Sequence, residues 1–532
     1  MSRFISAGAL KAALHAQTEI ALLDIREDGQ FGAGHLLLAT PLPFSRLELD
    51  VAALLPNQQV PIVIYGDDDA TASRAADCLA EAGYLRVSLL SGGIQAWIDA
   101  GYGIFAGVNV PSKAFGEQVE SSRHTPHVSA AQLSEWQQQQ RPLVLLDGRT
   151  LAEHQKMSIP GSVGCPNGEL VLRWRKLVPD SQTPIVVHCA GRTRSIIGAQ
   201  TLIDLGIPNP IYALEDGTQG WFLAGFRLMN GNRDAFPHAL SDHDYQAARN
   251  DSYQAAPSVP TVSVSQASSW LHDRQRTTYI FDIRTEEEFS AGTLLGARHA
   301  PGGQLIQATD AWIAVRQGRI ILLDEDDGRA RVIAGWLQLM GYQAWVLDTP
   351  VTGAAGSQNW PAPITLNLPL IATLGAKTVA ELVRQQRVLV VDLRASQEFN
   401  LGTLPDAIWS RRPLIQQHVN ELVLQKRYQQ LILVADSMPI AALAASELDE
   451  LPITIAALEG GVEAWQQAGL PLVAPRNPLK DEQRIDFLFF TAGRHDGDAQ
   501  AARHYLSWEK ALLAQMDEQE RATISGRLTQ KS

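Results

Sequence analysis

Along this chain, short unbroken apolar runs alternate with stretches whose apolar positions recur every three or four residues. The first pattern predicts buried strands and the second amphipathic helices. One apolar run ends in Asp four times, as ALLDIRE at Asp24, VLLDGRT at Asp147, YIFDIRT at Asp282 and LVVDLRA at Asp392. A polar turn and an acidic stretch carrying Phe31, His154, Phe289 or Phe399 follow each one. A second run recurs as PIVIYG, PIVVHC, RIILLD and QLILVA, ending at 66, 189, 324 and 435, which is 42, 42, 42 and 43 positions after the Asp. Then come an Ala-rich helical stretch, a further apolar strand and a glycine turn with Trp: SGGIQAW (Trp97), EDGTQGW (Trp221) and EGGVEAW (Trp465), decayed in the third copy to LDTPVTGAAG. A helix opener with Ser or Thr near its start precedes each unit: ISAGALKAAL, VSAAQLSEW, VSVSQASSWL and LGAKTVAELV. Those hydroxyls are suited to cap the first turn.

Strands alternating with helices predict an α/β unit with a mostly parallel sheet, repeated four times. The expected bounds are 1–107, 128–232, 261–355 and 372–475, with a C-terminal helical tail over 476–532. Stretches 110–126, about 230–260 and 352–363 change composition and read as linkers. In the tail, Ala502, Tyr505, Leu506, Trp508, Leu512 and Leu513 share helical spacing, which predicts a helix docked on the domains.

Composition narrows the function. At 532 residues, 45% apolar and 19% charged, the chain is ordinary globular protein of several domains. A formal charge of −13 argues against a nucleic-acid partner, which a basic face would favour. The absence of an apolar stretch of about 18 residues argues against a membrane partner. Three widely spaced cysteines make neither a disulfide framework nor a zinc site, so a reduced, cytoplasmic protein without metal or cofactor is expected.

The chemistry points to one loop. In a parallel sheet, ligands bind at the carboxyl ends of strands, where the next helix presents its N-terminus. In the second unit this turn reads His188-Cys189-Ala190-Gly191-Arg192-Thr193-Arg194-Ser195. Unpaired amides, the helix dipole and two arginines there all favour a thiolate and an incoming anion. The corresponding turns of the other units carry Gly66 before Asp67-Asp68-Asp69, Asp324-Glu325-Asp326-Asp327, and Ala435-Asp436, none with a sulfur nucleophile.

LLDGRT, IPGS (159–162), VVHCAGRTRS and LEDGTQGW together resemble a rhodanese domain, and the other three units resemble the same domain with an altered loop. The linker VNVPSKAFGE and the RHDG-containing tail are similar to those of bacterial proteins with four tandem rhodanese-like domains. The resemblance implies doubly wound α/β domains of the sulfurtransferase superfamily and a catalytic Cys189 that becomes a persulfide. It implies a substrate cradle of Ala190, Gly191, Arg192, Thr193 and Arg194, with Glu169 and Arg173 as further pocket residues. Asp147 and Arg149 are expected to hold the fold near the site. Many single-domain relatives place Gly three residues after the cysteine, whereas Arg192 stands there in this chain, so donor specificity does not carry over. A small-molecule sulfur donor such as thiosulfate, and a cyanide, small thiol or protein thiol acceptor, are the implied partners. 3-Mercaptopyruvate and glutathione persulfide are alternative donors, and a non-catalytic scaffold is the rival from another class. A phosphatase would need Arg six residues after the cysteine, and Ser195 stands there.

Overall fold

Each apolar run ending in Asp forms a buried central strand in the computed structural model of the chain: Ile20–Asp24, Val144–Asp147, Thr278–Asp282 and Val388–Asp392. The structure describes residues 3–526 and 528, apart from 327, 355–359, 427, 429 and 450. Asp327, residues 355–359 of the expected third linker, and 527 and 529–532 of the tail lie outside the described residues. Four sheets result, each with flanking helices. In the second, the order is His127–Val128, Ile211–Leu214, Ile185–His188, Val144–Asp147 and Ser162–Gly164, all parallel.

Alternation along the strands explains why both faces are covered. In the first sheet Ala21 and Leu23 point into one apolar cluster while Ile20 and Leu22 point into another. The fourth sheet splits Val388 and Val390 from Leu389 and Val391 in the same way. One cluster joins units one, two and three with the tail, from Ala21 through Val346 to Leu528. The fourth unit keeps two clusters of its own, reached from outside only by nearby residues such as Ile371, Leu479 and Ile485.

The units are also tied by backbone. Val315–Arg316 of the third unit pairs antiparallel with Ile20 and Ala21, adding a strand to the first sheet. Tyr279 donates its hydroxyl to the Leu54 carbonyl at 2.7 Å, and Glu19 accepts from the Thr277 amide at 2.9 Å.

Every unit repeats one local device. The Asp at the strand end accepts from the Arg two residues on, and that Arg also donates to a carbonyl eight residues further: Gly34, Met157, Gly292 and Gly402. The pairs are Asp24–Arg26, Asp147–Arg149, Asp282–Arg284 and Asp392–Arg394. Ser6, Ser129 and Ser263 cap the opening helices, whereas Gly375 takes that place in the fourth unit without a side-chain bond.

Two expected linkers are structured. Val110–Arg123 is a helix started at Pro111, and nine of its residues, among them Lys113 and Glu117, are buried. Covered on several sides, it lacks the one-faced period that signals a helix in sequence. The stretch near 230–260 contains the helix Asp242–Ala255, held by Asp251 on Arg175 and Asp244 on Lys176.

Candidate active site

The second sheet sets the site through its register. Asp147 lies opposite His188, so Cys189 is the first residue beyond the strand and stands before the helix Thr193–Asp204. The thiol is 3% exposed and accepts a hydrogen bond from Ser195 Oγ at 3.1 Å. The loop is pinned from the glycine turn: the Thr218 amide donates to the Cys189 carbonyl at 2.8 Å and the Gln219 amide to that of Ala190 at 3.1 Å. Gly217, at φ +52°, leaves no room for a side chain, because a Cβ there would lie 2.3 Å from the Cys189 carbonyl oxygen. Gly93 and Gly461 are pressed likewise against the carbonyls of Gly66 and Ala435, which explains the recurrent glycine before each Trp.

Behind the loop, Asp147 binds Arg149 through both oxygens and His154 at 2.9 Å. Burial alone would raise that carboxyl, but its basic neighbours hold it well below the usual carboxylate range. His188 is fully buried without a hydrogen-bond partner, and burial pushes it down to about 4 despite Asp147. It is a neutral packing residue. Asp147 and Arg149 lie beneath the site and not on its wall.

The two loop arginines differ from the free cations the sequence suggests. Arg192 binds Glu117 at 2.6 and 2.9 Å, binds Glu120, and lies 3.5 Å from Asp216. Arg194 binds both oxygens of Glu153 at 2.7 and 2.8 Å. Most of their positive charge is spent on carboxylates, and Arg192 fastens the loop to the helix Val110–Arg123.

Over the thiol lies a cavity of about 210 Å³. Its floor is Cys189 to Arg194. Glu153 and Gln219 of the same unit join it, and the remaining walls come from elsewhere: Asn109 and Lys113 before the second unit, Gln304 and Gln307 of the third, and Arg494, His495, Tyr505 and Glu509 of the tail. Glu509 accepts from Thr193 Oγ1 at 2.8 Å and faces Lys113 at 3.8 Å. Its second oxygen has no partner and lies against Gly191. The helix Ala499–Gln515 that carries it buries Ala502, Tyr505, Leu506, Trp508 and Leu512, the docking face expected of the tail. Among the described residues no group of three or more His, Cys, Asp or Glu is placed to hold a metal ion.

A family model described as the rhodanese-like domain matches residues 6–100, 129–224, 263–352 and 375–468. The chain belongs to this family. The crystal structure of thiosulfate sulfurtransferase from Pseudomonas aeruginosa is 38% identical, covers 99% of both chains and superposes with a TM-score of 0.89. The Alr3790 protein from Anabaena sp. is 30% identical over 20% of this chain and 84% of its own, with a TM-score of 0.19. No curated protein matches the chain.

The other rhodanese-like domains show what fills the loop when sulfur is absent. In the third, Asp324 stands where Cys189 stands, accepting from Arg329 at 2.7 Å and from the Ala330 amide at 3.1 Å. Arg329 binds Glu288 at 2.7 and 2.8 Å, as Arg194 binds Glu153. In the first, Asp67 is held by Gln30 and Arg26, and Asp68 caps the next helix through the Thr71 amide at 2.7 Å. In the fourth, Arg394 is bound to Asp392 and the loop begins at Ala435.

Glu169 and Arg173 do not line the cavity. They bind each other at 3.0 Å, and Glu169 also binds Arg329 of the third domain at 2.9 Å, so this segment serves a domain junction. Trp221 is buried with its indole N–H on the Arg227 carbonyl, as Trp97 is on Gly103 and Trp465 on Pro471. Burial pushes the Cys165 thiol far up, and burial with Glu48 raises Cys78 to about 12, leaving neither a ready nucleophile. The residues that sequence missed are the walls. Buried polar side chains on the linker helix and tail are their mark, and burial is not visible in one sequence.

These shifts fix an acid response. Burial depresses His35 and His188 to about 4, so the unfolded chain binds those protons first and stability falls as pH drops from about 6.5 to 4. Burial would raise Glu153 and Glu288, but Arg194 and Arg329 outweigh it and hold both at about 2, extending the loss from about pH 4.5 to 2. Asp310, raised to about 6 by burial, offsets part of it. The expected result is a melting temperature that declines continuously below pH 6.5, with His188→Gln flattening the upper segment in scanning calorimetry.

Proposed function

We propose that the chain is a sulfurtransferase that carries one sulfane sulfur on Cys189. The Cys189 thiolate attacks the outer sulfur of an anionic donor such as thiosulfate, and the S–S electron pair leaves with sulfite. The persulfide then yields its outer sulfur to cyanide or a thiol, and the pair of electrons returns to Cys189 Sγ.

The observation that carries this reading is the third domain's loop. With the same arginine–glutamate pair beside it, that loop holds a fixed carboxylate at the position of Cys189, bonded to a helix-terminal amide. The geometry is therefore one that stabilises a negative charge at this point, and only the second domain places a thiol there. Its membership of the rhodanese-like family and its likeness to a thiosulfate sulfurtransferase over nearly the whole chain support the same activity. A cavity of about 210 Å³ is smaller than the roughly 300–1,000 Å³ of drug-sized sites, favouring a compact donor over glutathione persulfide.

The test is incubation of the reduced protein with thiosulfate, 3-mercaptopyruvate or glutathione persulfide, followed by intact mass. Thiosulfate should add one sulfur atom, located by peptide mapping on Cys189, with release of one sulfite. No gain from any of the three donors would leave a scaffold.

A further inference from the structure

The two arginines in the catalytic loop are committed to Glu117, Glu120 and Glu153, yet the proposed donor is a dianion. The cavity must meet that charge with other groups. Its walls hold several buried polar atoms with no hydrogen-bond partner, and two of these are donors on adjacent residues of the tail, Arg494 Nη1 and His495 Nδ1.

Their local bonding defines what they offer. Arg494 Nε donates to His495 Nε2 at 3.1 Å. The imidazole therefore uses Nε2 as acceptor, and in the neutral ring the proton sits on Nδ1. Burial and the adjacent guanidinium push His495 down to about 3, which keeps the ring in that neutral form. The Arg494 guanidinium stacks 3.9 Å over the Tyr505 ring, which fixes its plane. Among the described residues no carboxylate lies within ion-pair distance of Arg494. The charged groups facing this pair are Lys113 on the linker helix, Arg149, Lys156 and Glu153 with Arg194 in the second domain, and Glu509 on the tail helix. Lys113 faces Glu509 at 3.8 Å and Glu153 is bound by Arg194, so among the described residues of the wall Arg494 is the cation with no carboxylate partner.

We infer that Arg494 and His495 form the subsite for the oxyanion end of the sulfur donor, and for the sulfite that departs from it. The inference rests on the sulfurtransferase reading and adds a residue-level account of donor choice. The N–H groups of the turn bind sulfonate oxygens and leave the sulfane sulfur to face Cys189. As Cys189 Sγ bonds to that sulfur, the S–S bond breaks and its electron pair stays on sulfite, whose charge the same two donors hold. The carboxylate of 3-mercaptopyruvate fits the same pair less fully, with two oxygens in place of three. Placed on the tail, this subsite lets one chain segment both roof the cavity and choose its substrate.

The experiment compares the full-length chain with Arg494→Met and His495→Phe. Loading of Cys189 is followed by mass, as a persulfide from thiosulfate and as a methyl disulfide from the neutral dimethyl trisulfide, whose terminal sulfur Cys189 attacks while methyl persulfide leaves, and sulfite binding is measured separately by calorimetry. Arg494→Met should raise the thiosulfate KM at least tenfold and weaken sulfite binding by a similar factor, with His495→Phe smaller in the same direction. Loading from dimethyl trisulfide should stay within about twofold, which also reports that the tail is still docked. Equal loss with both donors, or an unchanged thiosulfate KM, overturns the subsite. If the wild-type chain takes sulfur from neither donor but binds sulfite in an Arg494-dependent way, the transfer reading fails and the anion subsite stands.

Discussion

Replacing Cys189 by serine should abolish sulfur uptake and lower turnover by roughly a thousandfold or more, since a hydroxyl cannot serve as the sulfur nucleophile. The change is small in volume, and Ser195 Oγ can still donate to the new oxygen, so the fold should be retained. Cys165→Ser and Cys78→Ser are the controls. Their thiols are raised by burial and lie outside the cavity, so uptake from thiosulfate should persist in both. Intact mass after thiosulfate, with thiocyanate release in the presence of cyanide, reads all three. Uptake surviving in Cys189→Ser would move the sulfur carrier elsewhere.

Replacing Arg329 by methionine should destabilise the protein by about 3–5 kcal/mol, the usual cost of removing one partner from a buried charge cluster. The Arg329 side chain is fully buried and binds Asp324, Glu288 and Glu169 at 2.7 to 2.9 Å. Without it, Asp324 and Glu288 lose this counter-charge, while Glu169 keeps only Arg173. Because Glu169 belongs to the second domain, the damage should reach that domain although Arg329 lies in the third. Thermal unfolding should show a fall of several degrees. Adding Asp324→Asn should recover part of it by removing one of the two stranded charges. A melting temperature within a degree of the parent would mean that the cluster contributes nothing net.

The fourfold α/β architecture was legible because each central strand is covered on both faces and so reads as an unbroken apolar run ending in Asp. The place of Cys189 between a strand end and a helix start was legible because the three fall together in eight consecutive residues. The surroundings of the thiol were not. Val110–Arg123 looked like a linker because its burial is all-round, and Lys113 and Glu117 within it are polar residues paired with groups far away in sequence. Arg192 and Arg194 looked available because their carboxylate partners lie 75, 72 and 41 positions away. Glu169 sat in the right segment for a pocket residue, but a third domain packs there and Arg329 takes its charge. The docking face of the tail followed from its period, while its landing place on the Cys189 loop is a long-range contact that no local pattern encodes.

The strand Val315–Arg316 bears on how the chain is made. It completes the edge of the first sheet at Ile20 and Ala21, so that edge stays open until the ribosome has added roughly 300 more residues. At about 5–20 residues per second this is on the order of 15–60 s, during which an exposed β-edge invites pairing with a neighbouring nascent chain. The first domain is the earliest to be synthesised and among the last to be finished, which makes it the place where chaperone binding during translation should be sought.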